Sequence, residues 1–164
     1  MANIMNSSHE FEEDTQKGKF LTFILGDENY GIEIRFVTEI IGIQTITPVP
    51  EIPDYVKGII NLRGKIIPVM DVRLRFKKEP REYNDRTCII VIDIQDITIG
   101  LIVDCVAEVT SITDENIVPL PHLNKGYHHK FIEGIAKVGN EVKLILHCDK
   151  LVNVEDIEGL SLLA

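Results

Sequence analysis

Apolar positions along this chain fall in runs of five to seven residues, many of them β-branched, separated by short clusters of Gly, Asn, Asp and Gln. Such runs read as strands. The pattern predicts strands over Phe20–Leu25, Tyr30–Ile34, Val37–Ile43, Lys65–Asp71, Cys88–Ile94, Ile97–Val103, Val106–Ile112, Gly134–Val138 and Glu141–His147. Gly26-Asp27-Glu28-Asn29, Arg63-Gly64, Gln95-Asp96 and Gly139-Asn140 carry residues that favour tight reversal. Runs with apolar residues at three- and four-residue spacing are nearly absent. Short helices are expected only at Asp71–Phe76, after Thr113, and at Asp149–Glu158 near the C-terminus.

The pattern also repeats. Tyr30-Gly31-Ile32-Glu33-Ile34 with Val37-Thr38-Glu39-Ile40 matches Ile99-Gly100-Leu101-Ile102-Val103 with Val106-Ala107-Glu108-Val109. Thr47-Pro48-Val49-Pro50 matches Val118-Pro119-Leu120-Pro121, and Gly58-Ile59-Ile60 with the apolar run to Val69 matches Gly134-Ile135-Ala136 with the run to Ile145. Order is kept and the offset grows slowly, from 69 to 76 residues. A period this long does not suit a solenoid. It predicts an all-β fold of two tandem five-stranded SH3-like β-barrels formed by internal duplication. The expected division is a flexible acidic segment over 1–17, a first barrel over 18–87, a second barrel with a C-terminal helix over 88–158, and a tail over 159–164. The first strand is free to pair with either barrel.

Composition supports this reading: isoleucine and valine make up 40 of 164 residues. A net charge of -9 argues against nucleic acid. The charge is uneven, because Lys57–Arg86 holds nine of the 17 cations and four anions, a window of +5 in a chain otherwise at -14. That window is either a solvated basic face or a docking patch for an acidic protein surface. The first fifteen residues are polar, with Glu10, Glu12, Glu13 and Asp14, and no apolar run is long enough to span a bilayer. A cytoplasmic protein is expected. Cys88, Cys105 and Cys148 each sit in an apolar run and read as reduced core residues.

Motifs for bond-making chemistry fail on inspection. Gly58 to Gly64-Lys65 is not a phosphate loop: five residues separate the glycines, and Ile66 stands where a metal-binding Ser or Thr is needed. His122, His128, His129, His147 and Cys148 lack the spacing of a zinc site, so neither metal nor cofactor is expected. No pair of carboxylates has acid/base spacing. What stands out instead is Asn61-Leu62-Arg63-Gly64, which aims a guanidinium from a tight turn. Glu39 and Glu108 occupy matching places in the two copies, and the Pro-x-Pro connections present Val49 and Leu120 either as core seals or as surface ridges.

These residues carry a family resemblance over about Lys19–Val154. Tyr30-Gly31-Ile32-x-Ile34, Val37-x-Glu39-Ile40, Thr47-Pro48-Val49-Pro50 and, above all, Gly58-Ile-Ile-Asn61-Leu62-Arg63-Gly64-x-Ile66-x-Pro68-Val69-x-Asp71 leading to Arg73-x-Arg75-Phe76 resemble the CheW family of chemotaxis coupling proteins. The resemblance implies a non-catalytic, stand-alone adaptor that joins chemoreceptor cytoplasmic tips to the regulatory domain of the chemotaxis histidine kinase. It implies a monomer in isolation, recruited to membrane arrays through receptors, with no nucleic-acid partner and no membrane insertion of its own. A receptor groove is expected at Ile34, Glu39, Cys88, Ile90 and Gly100. Kinase contacts are expected at Val37, Glu39, Ile40, Arg63 and Gly64, with a second at Val118 and Leu123. A small-molecule or metal-binding β-barrel, using the loop His122–His129, is the alternative; an RNA-binding barrel on the basic window lacks aromatic platforms, since Trp is absent and aromatics are 6%.

Overall fold

The computed structural model describes residues 16–120, 130–153, 155 and 157. In chain order the strands are β1 (Lys19–Leu25), β2 (Glu28–Glu33), β3 (Val37–Gly42), β4 (Val56–Leu62), β5 (Lys65–Asp71), β6 (Cys88–Ile94), β7 (Ile97–Val103), β8 (Cys105–Ser111), β9 (Ile117–Val118), β10 (Ile132–Val138) and β11 (Glu141–Leu146). Two one-turn helices, α1 (Val72–Arg75) and α2 (Cys148–Leu151), each follow a hairpin, and 3-10 turns lie at Ile34–Phe36 and Asp114–Asn116. The tight reversals work as their residues dictate. Arg63 and Gly64 (φ 52° and 86°) and Gln95 and Asp96 (φ 49° and 66°) are left-handed pairs, the backbone that twisted two-residue hairpins need. Helix α1 starts where Asp71 Oδ1 accepts the Arg73 amide at 2.9 Å.

Strand β4 was not among the expected strands. Gly58 interrupts its β-branched run, and the structure explains why a glycine is there. Its φ is +143°, the β4–β5 register shifts at this point, and a Cβ would overlap the Thr47 carbonyl oxygen brought in by the Thr47–Ile59 bridge. The helix expected over Asp149–Glu158 is interrupted: one turn spans Cys148–Leu151, Val152 and Asn153 are not helical, and Glu155 and Ile157 are helical again.

The strands form a six-stranded sheet, β8-β1-β2-β11-β10-β9, and a five-stranded sheet, β3-β6-β7-β5-β4. The duplicated segments pair β1 with β6, β2 with β7, β3 with β8, β4 with β10 and β5 with β11. Under that correspondence the order of one sheet maps strand for strand onto the other. Each sheet nevertheless mixes both copies: the first two strands of one copy lie between strands of the other. The chain passes from the six-stranded to the five-stranded sheet at Ile34–Phe36 and returns through Asp104 alone. The expected split at residue 87 therefore does not follow the sheets. Cys88–Val103 lies with strands of the first copy, and the first strand lies wholly in the sheet of the second. Both exchanges end in a parallel pair, β2 with β11 and β5 with β7.

Each sheet encloses its own apolar interior. Ile60, Ile67, Val69, Ile89, Val91 and Ile102 fill the five-stranded one, and Phe20, Ile112, Ala136 and Ile145 the six-stranded one. The hydrogen-bonded ladders stay open at β3 and β4 and at β8 and β9, so these SH3-like units are curled sheets rather than closed ladders. A central cluster between the sheets is larger than either interior, with twenty-four buried members among the described residues, drawn from both. Burial of this size, at about 1.5–3 kcal/mol per large side chain, makes the two units one cooperative body. Through it runs an aromatic series in which ring centroids lie 5.6 Å (Phe23–Tyr30), 5.4 Å (Tyr30–Phe76) and 5.5 Å (Phe76–Phe131) apart. Buried Arg75 stacks over Tyr55 at 4.5 Å and Phe131 at 4.6 Å, and donates from Nε to the Leu151 carbonyl at 2.8 Å, tying α1 to α2.

Candidate functional site

Strand β3 is an edge of the five-stranded sheet, and its burial alternates: Val37, Glu39 and Ile41 are half-buried, Thr38, Ile40 and Gly42 exposed. The curl of the sheet brings the β4–β5 turn, from the opposite edge, against it. Arg63 donates from Nη2 to Glu39 Oε2, closing the open side of the barrel with an ion pair. The Arg63 side chain stays 69% exposed and that of Glu39 31%, so the pair sits at a rim. The hydrogen bond to Glu39 pushes the Arg63 guanidinium further above its usual range. Asn61 Oδ1 accepts the Gly64 amide at 2.8 Å and braces the turn. Beside the pair lies a depression of 350 Å³ whose polar wall is a relay: Lys65 Nζ donates to Thr98 Oγ1 at 2.9 Å, and Thr98 donates to Asp93 at 2.6 Å. Ile40 (43% exposed) and Ile43 (37%) add an apolar strip.

Of the expected kinase-contact residues, Glu39, Arg63 and Gly64 meet at this rim; Ile40 is exposed at the next, alternate position of β3, and Val37 is half-buried against the central cluster. Val118 lies on the other sheet, 54% exposed on β9. Leu123 lies outside the described residues. The expected receptor positions divide. Ile34 and Cys88 are half-buried, and Cys88 faces Gly42 in the β3–β6 register. Ile90 and Gly100 require correction, because neither has free surface. Ile90 is fully buried in the central cluster. Gly100 is buried in mid-β7, where a Cβ would come 2.6 Å from Ile89 Cγ2 and 2.9 Å from Val69 Cγ1. Both faces of β6 and β7 are covered, one by the barrel interior and the other by the central cluster, so these positions pack rather than dock. Lys65, Asp93 and Thr98 were missed; their only sequence signal is a polar side chain at the end of an apolar hairpin.

Cysteine burial also differs from expectation. Cys148 alone is buried, and that burial pushes its thiol up to about 12; Cys88 and Cys105 are half-buried. Val49 and Leu120 of the two Pro-x-Pro connections pack on the central cluster, which makes them seals rather than ridges. Much of the basic window is spent internally: Arg73 and Arg81 bind Asp104, and Lys78 binds Glu28. Among the described residues, no group of three or more His, Cys, Asp or Glu is arranged to hold a metal ion, and no helix is long and apolar enough to cross a membrane. His122, His128 and His129 lie outside the described residues; His147 Nδ1 stands 3.9 Å from Glu133.

Comparison with known proteins bears on this arrangement. The CheW-like domain family matches residues 19–156. A chemotaxis protein CheW of Klebsiella aerogenes is 34% identical over 144 residues, covering 88% of this chain and 87% of its own. One of Treponema pallidum is 32% identical over 147 residues, covering 87% and 86%. The crystal structure of the scaffolding protein TtCheW from Thermoanaerobacter tengcongensis superposes with a TM-score of 0.76 at 39% identity, over 85% of this chain and 90% of that one. With the duplicated curled sheets, the Glu39–Arg63 rim and a family match across nearly all the described residues, the chain belongs to the CheW-like domain family of chemotaxis adaptors.

Proposed function

We propose that this chemotaxis adaptor works by binding geometry alone, joining a chemoreceptor cytoplasmic tip to the regulatory domain of the chemotaxis histidine kinase without making or breaking a covalent bond. The observation that carries the reading is the Glu39–Arg63 pair, which holds an exposed guanidinium and a half-buried carboxylate in one geometry on the edge strand that also carries exposed Ile40. A charged pair with exposed apolar residues on the same strand suits a protein contact, where the apolar part supplies affinity and the charges register. Val37, Glu39, Ile40, Arg63 and Gly64 form the kinase face. Val118 supports a second kinase contact from the other sheet. Ile34, Glu39 and Cys88 border the receptor face, where a helical tip would lay one apolar side. Weak contacts on one stiff body gain strength when repeated in a cytoplasmic array beneath membrane receptors.

The test is a pull-down and kinase assay with a receptor cytoplasmic fragment and the kinase regulatory domain, separately and together. Arg63→Ala leaves the circular dichroism spectrum and thermal midpoint unchanged, because the pair is solvent-exposed. It weakens kinase binding about tenfold, the size of one well-placed interface residue. Undiminished kinase binding and activation by Arg63→Ala defeats the reading.

A further inference from the structure

The segment between α1 and β6, residues 77–87, leaves and re-enters the five-stranded sheet, yet along the way it also bonds to the six-stranded one. Lys78 Nζ reaches Glu28 Oε1 on β2 at 2.6 Å. Arg81 Nη1 reaches Asp104 Oδ2 at 3.0 Å. Tyr83 Oη donates to Asp71 Oδ2 at the end of β5 at 2.8 Å, and the Glu79 carbonyl accepts from Arg73 Nη1 at 3.1 Å. Asp104 is the centre of this set. It is the single residue between β7 and β8, where the chain changes sheets. It holds Arg73 in two bonds, Nε to Oδ1 at 2.7 Å and Nη2 to Oδ2 at 2.5 Å, and accepts the Gly26 amide of the β1–β2 turn at 2.7 Å. Arg73 and Asp104 are each 14% exposed, so this pair is shielded from salt in a way the Arg63 rim is not. A forked guanidinium–carboxylate pair is directional, whereas the apolar central cluster favours contact with little regard to angle.

Among the described residues the other crossing shows no such device. The duplication puts Arg35 where Asp104 stands and Asp149 where Arg73 stands, the same two charges reversed. They serve other partners: Arg35 bonds Glu33, and Asp149 accepts from Gln95 at 3.5 Å. We propose that residues 77–87 are a strap whose ion pairs at Asp104, with Lys78–Glu28, set the angle between the two sheets, making Asp104, Arg73 and Arg81 positioning residues for the adaptor. This rests on the two-face reading in one respect: the Glu39–Arg63 face and Val118 lie on different sheets, so that angle fixes how partners bound at both are presented to each other.

The test needs no partner, and so its failure is separate from any failure of the binding reading. Backbone N–H residual dipolar couplings are measured on the whole protein in a weakly aligning medium. In the native chain, couplings from both sheets fit one alignment tensor. In Asp104→Ala each sheet still fits a tensor of its own, showing that it is folded, but the common tensor is lost. If Asp104→Ala does not fold, the double variant Lys78→Met/Arg81→Ala cuts the two outer arms of the strap and is read the same way. A folded variant that merely melts earlier while both sheets keep one tensor overturns the proposal, since a purely structural pair would behave so.

Discussion

The two curled sheets share a strand order yet tolerate different interiors. In the five-stranded sheet the interior is all aliphatic, with Ile67 at its middle. The corresponding position in the six-stranded sheet is Lys143, whose side chain is 2% exposed. Its ammonium is met at 2.8 Å by Glu141, which lies two residues earlier on the same face and is itself 62% exposed. The lysine therefore buries its stem and delivers its charge to the open end of the curl. Strand order sets where a side chain goes, and the nearest route to solvent or a counter-charge sets what it can be. The five-stranded sheet offers a poorer exit at Ile67: the equivalent of Glu141 is Lys65, which would repel a cation there, and the carboxylates bordering the same depression, Glu39 and Asp93, are already held by Arg63 and Thr98.

Substitution across the pair breaks the comparison most sharply. Ile67→Lys should destabilise by about 3–5 kcal/mol, the cost of a buried charge without a partner. Lys143→Ile, which replaces a buried ion-pair member by an aliphatic of the neighbouring type, should be neutral or stabilise by about 1 kcal/mol. Urea denaturation midpoints measure both, and equal losses would show that the two interiors are equivalent after all.

The bulge glycines give a smaller contrast. Gly58 combines a φ of +143° with a Cβ path into backbone, whereas at Gly134 the Cβ would meet Val118 O and Ile117 Cγ2 at 2.8 Å without positive φ. Gly58→Ala should cost about 3 kcal/mol and Gly134→Ala about 1–2 kcal/mol by thermal unfolding. The reverse order would mean that the two bulges differ in compliance rather than in geometry.

Acid titration sharpens the contrast between the crossings. Burial raises the Asp104 carboxyl, but bonds from Arg73, the Gly26 amide and Arg81 outweigh it and hold the group below the ordinary range. Its stabilisation is therefore present above the unfolded value near about 3.9 and is lost as pH falls through the lower folded value. Asp104→Asn should reduce stability at pH 7 and flatten the acid limb of a denaturation series between pH 5 and 2. An unchanged acid limb would assign that limb to other carboxylates.

How much was legible beforehand differs by element. Nine segments of alternating or continuous aliphatics declared themselves as strands with two-residue shifts at most, and Arg63-Gly64 declared its turn, because both depend on neighbours in sequence. Strand β4 was hidden by Gly58, whose purpose is a contact with Thr47 eleven residues earlier. Ile90 and Gly100 were expected at the groove from the family resemblance, which matches positions and not burial; here both faces of their strands are covered, and only the second layer of packing reveals that. Asp104 gave no signal, since its partners come from 31, 23 and 78 residues away.

Local periodicity and turn chemistry by themselves determined that this protein is a duplicated β fold with an arginine aimed from a hairpin and a glutamate repeated at matching places in the two copies. Only the tertiary structure decided that the copies trade their first two strands, which sheet owns each segment, and which apolar residues keep a surface. The reason is physical: a strand's side-chain alternation is written in adjacent residues, but its ladder partner is selected by apolar burial and charge pairing among groups far apart in the chain, and those terms exist only once the two sheets are set against each other.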